Sequence, residues 1–265
     1  MSSLERKDHE GVVLNEARVG AVHLAFTERT GGVSMPPFTS LNLGAHVGDD
    51  PDAVAENRRR ALEALGCGAC AERLLVPSQV HGDHIAVVRS ADEAELARVR
   101  EEIAAGADGI VCCVPGVPVL LNFADCVPVI LACEGGFAVV HSGWKGTIAA
   151  IAGKAARMLS DTTGCAPGQI FAFIGPHITG VEYEVSEELI ERFAARFPQA
   201  VHAGSSRLLD LAACIRVALA EAGVPEDSVC DPGLSTVGNN DRFFSYRAEK
   251  GTCGRHGALA VMGEV

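Results

Sequence analysis

DGIVCCVPGVPVLLNFADCVPVILACEGGFAVVH, residues Asp108 to His141, is the stretch that decides the fold. Four β-branched and aliphatic runs, 109–112, 118–121, 128–131 and 137–140, are separated by proline and glycine pairs, the pattern of strands buried on both faces. The apolar span from Val114 to Val140 is interrupted by Pro115, Pro118, Asn122, Asp125, Pro128 and Glu134, which excludes a membrane crossing. The stretch is expected to form the buried heart of a sheet.

Upstream, Val19 to Phe26 alternates as a strand does, and Arg29 to Ser34 followed by Pro36 and Pro37 has loop chemistry. Asp49 and Asp50 as caps, Pro51 at the first helical position and Val54, Leu62 and Leu65 on one face predict a helix ending at Gly66. Leu74 to Gln79 and Ile85 to Arg89 are expected to pair as strands around the polar turn His81 to His84, before a polar surface helix from Glu93 to Ala105. Downstream the pattern predicts a helix from about Gly146 to Leu159 and a strand from Ile170 to Ile174. Helices Ser186 to Phe197 and Asp210 to Ala222, the latter closed by Gly223, precede a last strand from Ala258 to Met262. Strands and helices do not alternate strictly, so the expected class is α+β, a mixed sheet flanked by helices. With no linker, repeat or low-complexity segment, one domain over residues 1–265 is expected.

Twenty-two Lys and Arg against 34 Asp and Glu give a net charge of −12, and no basic run of five or more offsets it. The Arg58 to Arg60 triplet is short. Nucleic-acid partners are therefore disfavoured, and one Trp and two Tyr leave little for base stacking. Ten cysteines are too dilute for a disulfide scaffold, and the charged start MSSLERKDHE lacks the apolar run of a secretory signal, so a cytoplasmic location is expected.

Gly153-Lys154 lacks the glycine of a P-loop, since Ile148 stands there, and no G-x-G-x-x-G follows a strand. Zinc-deaminase and G-x-S-x-G signatures are also missing. Cys67-Gly-Ala-Cys70 is a C-x-x-C without a second pair to complete a zinc knuckle, and reads as two small apolar residues after a helix end.

Three segments place metal-ligand residue types where an apolar run gives way to a polar or glycine-rich turn: Gln79 to Gly82, Ala124 to Pro128, and His141 to Gly146. His81, Cys126 and His141 are too far apart in sequence for one helix, and their spacing suits neighbouring strand ends. Two imidazoles and a thiolate match zinc, and three protein donors leave a fourth position open, as in catalytic sites. The competing account makes Cys126 a small core residue and His141 a hydrogen-bonded strand-end residue.

The runs Thr30 to Ser34, Ser40 to Gly44, His46 to Asp50, Asn57-Arg58, Gln79 to Gly82, Ala107 to Gly109, Ala124 to Cys126 with Pro128-Val129, His141 to Gly146, Gly175-Pro176, Tyr183 to Val185 and Phe244 to Arg247 together resemble the YfiH-like family. They cover nearly the whole chain in order; Ser142 stands where the family usually has alanine. Members are described as purine nucleoside phosphorylases, laccase-domain polyphenol oxidases and peptidoglycan editing factors, on a mixed α+β fold related to a cysteine-hydrolase toxin domain (the CNF/YfiH-like class). The resemblance implies zinc at His81, Cys126 and His141, and pocket positions at Asn42 and Arg58; His84 reads as a surface histidine.

The activities so implied are zinc-dependent phosphorolysis of adenosine, inosine and methylthioadenosine, with adenosine deamination as a second activity and Asp125 assisting proton transfer. The expected partners are purine nucleosides and phosphate, without nucleic acid or membrane, acting on a monomer or homodimer. An alternative makes Cys126 a nucleophile and His141 its base in an amidase-type hydrolase editing a cell-wall peptidoglycan precursor. A copper polyphenol oxidase is the weakest alternative, because none of the nine histidines forms an H-x-H pair; copper remains a substitute metal at the zinc site.

Overall fold

The computed structural model describes residues 3–201 and 207–263; of the domain expected over 1–265, residues 1–2, 202–206 and 264–265 lie outside the described residues. Two sheets form where one was expected. The first is antiparallel and runs β1 (Glu5–His9), β2 (Val12–Val19), β3 (Val22–Thr27), β11 (His256–Met262), β6 (Val119–Phe123). The second runs β10 (Val229–Cys230), β9 (Phe171–Ile174), β7 (Val127–Cys133), β8 (Gly136–Ser142), β5 (Gly109–Cys112), β4 (Ile85–Val88), with parallel pairs at both edges.

All four runs of the 108–141 stretch are strands, yet they do not share a sheet. β6 leaves to pair with β11, and Asp125, at φ 89°, turns the chain back into β7. This corner between the sheets is where the site sits. The inner faces of the two sheets meet in one core, with Leu24, Phe26, Leu121 and Ala260 from the first packed with Ile110, Ile130, Val139 and Phe173 from the second.

Helices cover the outer faces. α1 (Pro51–Ala64) has its amide at Asp52 capped by the Asp50 side chain, and it buries Ala61 and Leu62 against Leu14 and Leu259. On the other side α4 (Ile151–Thr163) and α6 (Leu211–Glu221) lie over the second sheet. A Cβ on Gly153 would stand 2.5 Å from the Ala218 carbonyl oxygen, so this glycine serves a close helix approach. The expected polar helix is α2 (Glu93–Ala105), whose inner face buries Leu96, Val99 and Ile103, and α5 (Glu187–Arg196) begins at the Ser186 cap.

Three expectations are corrected. The strand expected over 19–26 is split by a turn at Gly20, φ 55°, between β2 and β3. The helix expected from 146 to 159 is broken into α3 (Trp144–Ile148) and α4, with Ala150 at φ 57° between them. Leu75 bridges Val119 and β4 pairs with β5, so the expected 74–89 strand pair does not form. The amides at 80–82 turn instead to a buried carboxylate.

Candidate metal centre

That carboxylate is Asp108, at the foot of β5 and fully buried. It accepts the backbone N–H groups of Val80 at 3.3 Å, His81 at 3.0 Å and Gly82 at 2.6 Å, which holds the loop with His81 at φ 58°. It also accepts from His141 Nδ1 at 2.7 Å, while its main-chain carbonyl takes the His141 amide at 2.7 Å. Burial works against ionisation of Asp108, but the His141 hydrogen bond and the Gly82 and Val80 amides together hold its pKa below the ordinary value. An ionised carboxylate only accepts, so Nδ1 carries the proton and Nε2 is left for a ligand.

Cys126 enters from the sheet corner, and the donor atoms of His81, Cys126 and His141 all lie within 4.8 Å of one another. The two imidazole rings meet edge-on, 4.8 Å between centroids at 84°. Gly143, just beyond β8, lies over all three donors: a Cβ there would stand 3.1 Å from His81 Cδ2, 3.2 Å from Cys126 Sγ and 3.7 Å from His141 Cε1. Gly146 is needed in the same way farther along, since a Cβ would meet the Gly82 carbonyl at 3.0 Å and push the His81 loop away. Two imidazoles and a thiol at this spacing, with one imidazole oriented from behind by a carboxylate, fit a borderline-soft metal ion such as zinc.

Without a metal the same atoms polarise one another. Burial opposes the Cys126 thiolate, but the charge of His141 and hydrogen bonds from both histidines bring its pKa well down. Burial opposes the charge on His141 too, and is outweighed by Cys126 and Asp108, which raise it. The two groups therefore favour a thiolate and imidazolium pair.

The triad opens into a cavity of about 440 Å³. Phe123 and Ile178 give it apolar wall, Tyr183 and Tyr246 aromatic wall, and Arg247 and Arg255 cationic groups beside the His46 imidazole. Arg247 lies over the Tyr183 ring at 5.6 Å and Arg255 over Tyr246 at 6.0 Å. A larger surface hollow of about 520 Å³ beside α1 is lined by His9, Arg59, Arg60 and Glu63, groups already paired among the glutamates there.

The other residues singled out in the sequence lie around this centre in different ways. Asp125 lines the cavity, but Oδ1 accepts from Thr236 Oγ1 at 2.6 Å and Oδ2 from the Arg247 amide at 2.7 Å, so its carboxylate is occupied in fixing the wall. Asn42 is buried and does not line the cavity; its Oδ1 accepts the amides of Gly44 and Arg255, and its Nδ2 donates to Asp49. Arg58 stands behind the wall with Nε donating to the Leu43 carbonyl at 2.9 Å. His84 is exposed and pairs with Glu102. Both cysteines of the C-x-x-C are unpaired, as are the other eight.

Sequence reasoning missed Asp108 and the cavity groups His46, Tyr183, Tyr246, Arg247 and Arg255. All but Arg255 stood in the quoted runs, yet each gains its meaning from partners distant in the chain.

The fold and centre define a class: mixed α+β proteins with a His, Cys, His donor set at the junction of two sheets. The chain belongs to the YfiH family. Residues 23–263 match the family model described as multi-copper polyphenol oxidoreductase laccase. Purine nucleoside phosphorylase YlmD of Geobacillus stearothermophilus is 34% identical over 252 residues, 92% of this chain and 90% of its own length. Purine nucleoside phosphorylase YfiH of Escherichia coli is 34% identical over 230 residues, 84% of this chain and 87% of its own. The crystal structure of YlmD from G. stearothermophilus superposes with a TM-score of 0.85 at 30% identity, covering 100% of both chains. That of the Bacillus licheniformis hypothetical protein YfiH gives 0.84 at 30% identity, over 97% and 98% of the two chains.

Proposed function

We propose that this chain is a zinc-dependent purine nucleoside phosphorylase acting on adenosine, inosine and methylthioadenosine, with adenosine deamination as a second activity of the same site. The observation that carries the reading is a three-donor metal set in a cavity of about 440 Å³ with aromatic and cationic walls. That volume suits a small ligand, aromatic rings suit a flat base, and guanidinium groups suit an oxyanion. The names of the relatives support it.

In phosphorolysis the C1′–N bond of the nucleoside breaks and its electron pair leaves on the purine nitrogen. A phosphate oxygen supplies the pair for the new C–O bond, and the proton of hydrogen phosphate ends on the freed base. Zinc at His81, Cys126 and His141 would supply Lewis-acid polarisation of an oxygen. Asp108 keeps His141 oriented, and Phe123 and Ile178 keep one side of the site apolar. Asp125 holds Thr236 and the Arg247 amide in place. Deamination replaces the C6 amino group by oxygen from water and releases ammonia. Zinc is favoured over copper because, among the described residues, this is the one group of three potential donors, and multicopper chemistry needs further histidine ligands.

One observation favours a second reading. Cys126, His141 and Asp108 stand in series with the thiol pKa lowered, the order of a nucleophile, its base and an orienting carboxylate. A thiolate hydrolase stays active after chelation and dies on alkylation; the zinc enzyme loses activity on chelation and regains it with Zn²⁺.

The test is a nucleoside panel with and without phosphate, run on protein of measured zinc content. Saturable, phosphate-dependent base release that disappears in Cys126→Ala is the expected result. Absence of turnover by fully zinc-loaded protein would sink the reading.

A further inference from the structure

We propose that Arg255 and His46, backed by Arg58, form a subsite for a tetrahedral oxyanion, inorganic phosphate, inside the cavity that holds the His81, Cys126 and His141 set. The identity of the anion as a co-substrate rests on the phosphorolysis reading; the existence of the subsite does not.

Unpaired positive charge marks the subsite. In a chain of net charge −12, Arg59, Arg60 and Arg98 are each ion-paired to glutamates. Among the described residues neither Arg58 nor Arg255 forms such a pair, although both are half-buried. Burial lowers the pKa of Arg58. A partly buried guanidinium without a counter-charge is unfavourable, and an anion brought to it offsets that cost.

The subsite is also built from fixed parts. Three consecutive residues, 42 to 44, hold the cationic groups. The Asn42 side chain, itself fully buried, accepts the Arg255 amide at 2.8 Å, and the Leu43 amide donates to the Arg255 carbonyl at 3.0 Å. The Leu43 carbonyl in turn accepts from Arg58 Nε at 2.9 Å. Gly44 leaves room for the Arg255 stem: a Cβ there would stand 2.7 Å from Arg255 Cγ and 3.4 Å from His46 Cε1. Arg255 Nη1 is fixed by the carbonyls of Cys253 and Gly254, both at 2.9 Å. Such fixing of one guanidinium nitrogen lets the others be presented at little entropic cost.

His46 and Arg255 both line the cavity that holds His81 and His141, and a Cβ on Gly44 would meet both side chains. Arg255 in the wall and Arg58 behind it thus place positive charge on one side of the cavity, the arrangement that concentrates an anion. Asn42 and Gly44 are positioning residues here, which accounts for a buried amide that never reaches the cavity.

The test measures binding of inorganic phosphate to metal-free protein by calorimetry, so that zinc contributes nothing. Saturable binding of a single phosphate by wild type is expected. Arg255→Gln and Gly44→Ala should each weaken it at least ~10-fold, the range for losing a charge-assisted hydrogen bond. Arg255→Lys should recover some of the loss, and Arg59→Gln on the α1 surface should bind as wild type does. Circular dichroism verifies that each variant is folded. No saturable binding by wild type, or equal affinity in wild type and Arg255→Gln, overturns the subsite. Phosphate binding lost in Arg255→Gln, in a zinc-loaded protein that cleaves no nucleoside, upholds the subsite and removes the phosphorolysis reading instead.

Discussion

His141 and His256 are both buried, at 3% and 0% exposure, and both lie against the ring of Phe123, with centroids 5.4 and 6.4 Å away. Their chemistry is opposite. His141 donates to Asp108 and faces Cys126, so its pKa rises in spite of burial. His256 has no well-formed hydrogen bond at either ring nitrogen, and burial, aided by the charges of Arg255 and Arg29, pushes it down to about 3. Burial by itself leaves an imidazole neutral and idle; a carboxylate on one nitrogen and a thiolate beyond the other make it a ligand or a base.

The change with the largest expected effect makes His141 resemble His256. Asp108→Asn removes the charge that orients His141 and gathers the amides at 80–82, and zinc affinity should fall by about 10- to 100-fold. Competition with a chromophoric chelator measures it; unchanged affinity would show that the carboxylate is not what separates the two histidines.

A smaller loss is expected from Gly143→Ala. Gly143 has φ −73°, which suits alanine, so backbone strain is not involved. The added methyl meets His81 and Cys126 at 3.1 and 3.2 Å, and overpacking of about 1–3 kcal/mol should fall on the metal set. Zinc affinity should drop by about tenfold with the unfolding midpoint of the metal-free protein nearly unchanged. Equal loss of stability in the metal-free protein would instead place the cost in the core.

The smallest effect at neutral pH concerns His256. Its folded pKa of about 3 lies below the ordinary 6.5, so the unfolded chain takes the proton first. Its contribution is fully favourable above pH 6.5 and is lost as pH falls from there toward 3, with a slope of up to about 1.4 kcal/mol per pH unit. His256→Phe should flatten this acid limb in urea unfolding while changing neutral stability by less than about 1.5 kcal/mol. An unaltered acid limb would mean that His256 finds a partner for its proton.

The same contrast shows what the sequence could reveal. Strand-end placement and donor chemistry were enough to single out His81, Cys126 and His141, because each stands where an apolar run breaks. Helix ends were legible where a cap is local, as at Asp50 with Pro51, Ser186 and Asp210. The division into two sheets was not, because β6 and β7 read alike and only pairing with β11 separates them. Asp108 stayed hidden for the same reason: its partners at 80–82 and 141 are remote in the chain. A lone aspartate before a strand carries no mark of its use. Asn42 and Arg58 came through resemblance, and the structure places them behind the cavity wall.

The donor set on the His141 side of Phe123 is proposed to work as a metal centre for C–N bond cleavage. The most direct test is the rate of free-base release from inosine in saturating phosphate, measured on chelated protein before and after addition of one equivalent of Zn²⁺. No release before addition and full release after it are expected, with no recovery in Cys126→Ala. Undiminished release from metal-free protein would contradict it.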